Sequence, residues 1–312
     1  IMGILPKTRT TLLLNWATNP YHAPILVAQE LGFFDREGLK MAILEPRDPS
    51  DVTELVANRT VDYGLKAMIH TVAARAKGFS VKSIATILDE PPTGLIFLKS
   101  SGITDFASLE GKKIGFVGEF GKIMVDNLAK HAGLTNYETV RVGMNVVDAI
   151  LEGRIDTGIG FSNYQLAELE THGPVGMFRI DELAGLGCCC FCSIQLITHE
   201  KTLDENPERT KKLLRAVQAG ARVVAESPEK GWEVVQRAVP RLRTELGHVQ
   251  YMRSLPFITR SLRHTQRDWD KVGKYAGHLG ILPEGYDVHA GYTDEFVPTT
   301  PAVDVQPIVQ SV

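Results

Sequence analysis

The chain has 312 residues, 44% of them hydrophobic and 23% charged, with a formal net charge of −3 at pH 7. This is the composition of a soluble globular protein, long enough for one large or two ordinary domains. The slightly acidic balance argues against nucleic-acid binding and against a membrane-surface role, and no apolar run approaches the roughly 18–20 residues that span a bilayer.

The opening IMGILPKTRTTLLLNW lacks the layout of a secretory signal, because its basic residues precede only three leucines and no small-residue cleavage site follows. The cytoplasm is the expected compartment. TLLLNW reads as the first strand, and Pro20, Tyr21 and His22 open a helix that runs through HAPILVAQELGFF. Asn15 and Trp16 end that strand. An aromatic ring at the carboxyl end of a strand is placed to stack on a flat ligand in an open α/β sheet. The ordinary alternative is a capped loop with a packed tryptophan. KMAILEP then reads as a strand and SDVTELVANR as a helix.

VDYGLKAMIH follows at 61–70. A helix beginning near Lys66 sets its amine and the His70 imidazole on one face, one turn apart. Spacing alone carries no chemistry here, since such pairs also occur as a solvated lysine and a packed histidine. MIHTVAARAKG continues as helix, and KSIATIL and GLIFLKS read as strands. In GKKIGFVGEFGKIMVDNLAKHAG a strand runs into Gly118, Glu119, Phe120 and Gly121, and then into a helix. Glycines free the backbone to aim N–H groups at an anion, and a helix start adds its dipole. The string is neither a Walker nor a dinucleotide fingerprint, so a plain strand-to-helix turn is the competing reading.

ETVRVGM reads as a strand and NVVDAILEG as a helix. NRTVDYGLK (58–66) and EGRIDTGIG (152–160) share the order helix end, apolar, Asp, x, Gly, apolar. Each fits the entry of one βα unit in one of two similar halves. Alternation of strands and helices predicts α/β sheets with right-handed crossovers.

All four cysteines sit in CCCFC at 188–192. A disulfide framework spreads its cysteines along the chain, so the cluster indicates reduced thiols. On an extended strand Cys188, Cys190 and Cys192 share a face at intervals of about 6.6 Å. Three thiolates on one metal, each at about 2.3 Å, would lie closer together than that. Gly185 and Gly187 allow a turn that changes this, and cysteine is also a common small buried residue. FCSIQLI reads as a strand. From Asn206, Pro207 and Glu208, a capped helix start, the chain is mostly helical. The final VPTTPAVDVQPIVQSV is proline-rich and aperiodic, the pattern of an extended or partly disordered tail.

Taken in order, NWxxxPYHxPI, GLKAMIH, ILDEP, GKKIGFVGEFGKI, RxGMN and LGCCCFC resemble the fungal-type pyrimidine synthases of thiamine biosynthesis. These make 4-amino-5-hydroxymethyl-2-methylpyrimidine phosphate (HMP-P). The resemblance spans about residues 11–290 and is weakest at 161–176. It implies a two-lobed α/β fold of the type II periplasmic-binding-protein kind, with the ligand in the cleft between lobes. Residues 1–97 and 194–312 would form lobe 1, and residues 98–193 lobe 2.

The resemblance further implies that pyridoxal 5′-phosphate (PLP) is a substrate, held by Lys66, and that His70 is itself consumed as the second substrate in a single turnover. Asn15 and Trp16 would line the PLP, and Gly118, Glu119, Phe120 and Gly121 would bind its phosphate. Iron and dioxygen would be required. The motif Cys188, Cys189, Cys190, Phe191, Cys192 would be essential, with the iron ligands open among His70, Cys188, Cys190 and Cys192. A homodimer is expected. The competing reading is a non-catalytic pyrimidine- or pyridoxal-binding protein of the same fold.

Overall fold

The computed structural model describes residues 6–180 and 192–299, without the Glu119 side chain. Cys188, Cys189, Cys190, Phe191 and the tail from 300 onward lie outside the described residues.

The described residues form two five-stranded sheets. The first has the order β2-β1-β3-β10-β4, from β1 (Thr8–Leu13), β2 (Leu39–Leu44), β3 (Tyr63–Ala67), β4 (Val81–Leu88) and β10 (Ile194–His199). The second has the order β7-β6-β8-β5-β9, from β5 (Thr93–Leu98), β6 (Lys113–Phe116), β7 (Glu138–Arg141), β8 (Thr157–Phe161) and β9 (Val175–Arg179). In each sheet four strands run the same way, and the fifth, β10 in the first and β5 in the second, enters from the other half of the chain and lies antiparallel between two of them.

The short sequence echo has a physical basis in this symmetry. β3 and β8 are the central strands of their sheets. The shared aspartate precedes each of them and does the same work. Asp62 accepts the Thr11 backbone N–H at 2.8 Å, and Asp156 accepts the Lys113 backbone N–H at 2.8 Å. Each carboxylate thus pins the neighbouring parallel strand to the centre of its sheet.

Sheet membership corrects the expected division at 97/98. Strand β5 belongs to the second sheet, so the chain first crosses over at residues 89–92. That crossing is the Asp89-Glu90-Pro91 of ILDEP. It is tied to the returning chain, because Ser193 Oγ accepts the Glu90 backbone N–H at 2.9 Å.

Helices α1 (Ala23–Glu30), α2 (Phe33–Arg36), α3 (Val52–Ala57) and α4 (Met68–Ala76) alternate with the strands of the first sheet. α5 (Gly118–His131), α6 (Val146–Leu151) and α7 (Gln165–Glu170) do so in the second. After β10 come α8 (Glu200–Glu205), α9 (Pro207–Glu226), α10 (Pro228–Ala238), α11 (Glu245–Ser254) and α12 (Gln266–His278). α9 starts as its sequence requires. The Asn206 side chain accepts the Arg209 N–H at 3.0 Å, and Pro207 occupies the first turn, where no N–H is missed. Residues 23–28 of α1 are all buried, because α9 and α10 cover the face that the first sheet does not. No described helix is long and apolar enough to cross a membrane.

Candidate functional site

A cavity of about 300 Å³ is lined from both sheets and their helices. Asn15, Trp16, Lys66, His70, Gly118, Phe120, Gly121 and Cys192 all line it. Sequence reasoning singled out every one of these from strings far apart in the chain, and the fold brings them together.

Lys66 is on strand β3, and α4 begins only at Met68, with Ala67 in extended conformation as its cap. The expectation of one helical face is therefore corrected. The amine and the imidazole come from a strand end and the helix that follows it, and they share the cavity without sharing a helix. Met68, Ile69 and Val72 turn the other side of α4 into a core with Trp269 and Val272, which leaves His70 toward the cavity.

Lys66 is 5% exposed, and its Nζ donates to the backbone carbonyl of Pro49. Burial pushes its pKa down to about 8, against the opposing pull of Asp48 and Asp51. A substantial neutral fraction at mild pH is what a nucleophilic amine needs. His70 is held well below the usual histidine range, first by burial and then by the Lys66 charge. Its ring lies 5.4 Å from that of Phe120.

Phe120 stands in the first turn of α5. Val117 precedes that helix in extended conformation and provides no side-chain cap. Val117, Gly118, Phe120 and Gly121 line the cavity, so the first turn of α5 borders it. Such a turn carries unpaired N–H groups and the positive end of the dipole. Gly118 has φ +69°, the left-handed conformation that favours glycine. Glu119 is the second residue of the helix.

Asn15, Trp16 and Tyr21 of NWxxxPYHxPI also line the cavity. Asn15 and Trp16 follow β1, and Tyr21 and His22 belong to the short 3-10 turn Pro20–His22 that Asn19 caps. Asn15 Nδ2 donates to Tyr21 Oη at 2.9 Å, and Asn15 Oδ1 lies 2.8 Å from His22 Nε2. Sequence reasoning passed over Tyr21 as a site residue because a tyrosine at a helix start is an ordinary event.

Two further groups shape the turn that borders the cavity at Pro49 and Ser50. Pro49, whose carbonyl accepts the hydrogen bond from Lys66, belongs to the 3-10 turn Pro49–Asp51. A backbone carbonyl leaves no mark in a sequence. Arg141, at the end of β7 in the second sheet, reaches back to that turn, with Nη2 at 3.0 Å from Asp48 Oδ2 and 3.0 Å from Ser50 Oγ.

Cys192 is buried and borders the cavity just ahead of β10. It precedes the strand and is not part of it, so the flat-strand geometry expected for CCCFC does not extend to this cysteine. Among the described residues no three histidine, cysteine or acidic side chains gather closely enough to hold a metal ion.

The family described as NMT1/THI5 like matches residues 19–231. A 4-amino-5-hydroxymethyl-2-methylpyrimidine phosphate synthase of Legionella pneumophila is 58% identical over 97% of this chain and 96% of its own. The protein of that name from Uromyces fabae is 51% identical over 93% of this chain and 87% of its own. The THI12 synthase of Saccharomyces cerevisiae is 49% identical over 93% and 88%.

Among solved structures, the alkanesulfonate-binding protein SsuA of Xanthomonas axonopodis pv. citri superposes with a TM-score of 0.72 at 13% identity, over 93% of this chain and 99% of its own. The Candida albicans CA3427 gene product, described as having the generic periplasmic binding protein fold, superposes at 0.69 with 15% identity over 96% and 100%. At such identities the likeness concerns fold alone, and the fold is the two-lobed α/β fold expected from sequence.

Proposed function

The chain belongs to the NMT1/THI5-like family, and on that premise we propose that it is an HMP-P synthase that builds the thiamine pyrimidine from PLP and its own His70. The observation that carries this reading is one cavity lined by a buried amine of lowered pKa, an imidazole and an uncapped helix start. The α5 start takes the phosphate. Trp16 stacks on the flat ring. The neutral Lys66 amine attacks the aldehyde carbon and expels water, which fixes the substrate beside His70. Imidazole contains an N–C–N unit, and so does a pyrimidine. A histidine held against the tethered ring can therefore donate that unit, and the chain works once because its side chain leaves in the product.

Iron and dioxygen belong to the same reading, since the conversion is oxidative. Of the candidate donors, His70 and Cys192 border the cavity, and Cys188 and Cys190 lie outside the described residues. A homodimer in the cytoplasm completes the proposal.

Intact mass after incubation with PLP, ferrous iron and air tests it. The expected result is a loss of mass confined to the peptide bearing His70, with product levelling off at one per chain. Borohydride added before iron should fix PLP on Lys66. His70→Asn should bind PLP and yield no product at all, whereas loss of an acid–base residue would leave a reaction slowed by roughly 10²–10⁴-fold. An unchanged mass with tight PLP binding would make the protein a binding protein of the same fold.

A further inference from the structure

The Asn15, Tyr21 and His22 side chains form a directed chain of hydrogen bonds whose polarity can be read from one end. The Asn19 backbone N–H donates to His22 Nδ1 at 3.2 Å. A backbone N–H cannot accept, so Nδ1 is the acceptor and, in a neutral ring, the proton sits on Nε2. The ring is neutral: burial pushes its pKa down to about 3. Nε2–H then donates to Asn15 Oδ1 at 2.8 Å, which fixes the amide's orientation. Asn15 Nδ2 in turn donates to Tyr21 Oη at 2.9 Å. The Tyr21 oxygen is thereby engaged as an acceptor, and its proton points elsewhere.

Tyr21 is 2% exposed and Asn15 7%, and both line the cavity. The Tyr21 ring is held edge-on by Tyr164 at 5.8 Å and tilted against Phe161 at 5.9 Å, so its hydroxyl has one position. Burial raises the phenol's pKa and keeps it protonated.

We infer that Tyr21 is a substrate-binding and specificity residue: with the second N–H of Asn15 it presents a wall of donors to a lone-pair acceptor on the flat heteroaromatic ligand, and refuses a donor at that place. This rests on the reading of the ligand as PLP, which offers two such acceptors, the ring nitrogen and the 3-oxygen. A ring nitrogen held this way stays unprotonated. No acid on this wall supplies a proton to it, because His22 and Asn15 are committed in the opposite sense.

The test is equilibrium binding to the metal-free full chain, with three ligands: PLP, its analogue with CH in place of the ring nitrogen, and its analogue lacking the 3-hydroxyl. Wild type should bind one analogue about tenfold or more weakly than PLP. Tyr21→Phe should lose about tenfold toward PLP and nothing toward that same analogue, because the bond it removes is already missing. Equal wild-type affinity for all three ligands overturns the inference, as does a Tyr21→Phe variant that keeps full PLP affinity or loses equally on all three. The wild-type comparison decides the matter even where the variant does not fold. A wild type that binds PLP in none of these assays defeats the functional reading itself, a result distinct from PLP binding without selectivity.

Discussion

The Lys66 ammonium is anchored to the Pro49 carbonyl, a neutral acceptor, and the pull of the Asp48 and Asp51 carboxylates does not offset its burial. A carbonyl compensates part of the lost hydration and no more, so the charged form stays costly in the fold. A folded pKa of about 8 against 10.5 unfolded has a definite consequence for stability. Between these values the unfolded chain binds more protons, so stability rises with pH across that window. Below pH 8 the penalty is complete, about 3 kcal/mol. Lys66→Met should therefore raise the midpoint of denaturant unfolding at pH 7 and erase the rise of stability between pH 8 and 10. A wild type whose stability falls across that window would disprove the buried-amine assignment.

Gly118 and Gly121 stand in the same first turn of α5, the turn proposed to hold the phosphate, but differ in what they tolerate. At Gly121 a Cβ would meet Phe116 no closer than 3.5 Å, which is ordinary contact. At Gly118 a Cβ would meet Ser50 Cβ at 3.7 Å, also ordinary contact, but φ is +69°, where any other side chain costs roughly 1–2 kcal/mol. Gly118→Ala should shift the first turn of α5 and weaken PLP binding by tenfold or more, while Gly121→Ala should leave it within about threefold. Titration of both variants with PLP checks the order, and a reversed order would move the phosphate away from Gly118.

Much of this site was legible in the sequence, and the reasons are physical. Gly118, Asn15, Trp16 and His70 stand at ends of strands and starts of helices, where α/β folds put ligands, so local pattern and family resemblance both reach them. Lys66 was found for the right motif and the wrong element. LKAMIH is apolar enough to read as helix throughout, and only pairing of β3 with β1 and β10 makes its first half a strand. Pro49, Arg141 and Tyr21 were missed because their roles depend on tertiary neighbours. The lobe boundary was placed one strand late, since nothing in GLIFLKS says which sheet it joins.

Arg141 joins the two halves at the cavity rim. It binds Asp48 and Ser50 of the first half, and the turn it grips is the one whose Pro49 carbonyl holds Lys66. The pair itself is exposed, so its intrinsic worth is small. Its effect should lie in the distance between the halves. Arg141→Ala should increase the radius of gyration measured by solution scattering without PLP, leave the melting temperature within a few degrees, and speed PLP release. Arg141→Lys should restore little, because one ammonium cannot reproduce a guanidinium shared between Asp48 and Ser50. A variant with unchanged scattering and unchanged release would show that the rim contact does not hold the halves together.

The last prediction concerns a constellation that imitates a hydrolase. Ser83 Oγ lies 2.7 Å from His264 Nε2, and His264 Nδ1 lies 2.7 Å from Asp294 Oδ1. The order and distances are those of a nucleophile, a base and an orienting carboxylate. The surroundings are not. The side chain of His264 is fully buried, as is Ser83 on β4, and the serine hydroxyl also donates to Gln195 Oε1 at 3.1 Å. No substrate reaches it. The array instead fastens the chain around Asp294 onto the first sheet, where the Thr293 N–H donates to the Ser83 carbonyl at 3.0 Å. A fluorophosphonate probe should leave Ser83 unlabelled under native conditions. Asp294 fixes the pH behaviour: burial alone would raise its pKa, but hydrogen bonds from His264 outweigh this and hold it below the usual carboxylate value. Its stabilising contribution is thus present above the unfolded carboxylate pKa, near 4, and lost as the pH falls through the lower folded value. Asp294→Asn should lower stability at pH 7 by about 1–3 kcal/mol, the cost of a broken buried network, and remove that part of the acid sensitivity. A variant as stable as wild type at pH 7, or a Ser83 that takes the probe, would mean the array is open to solvent and not a fastening.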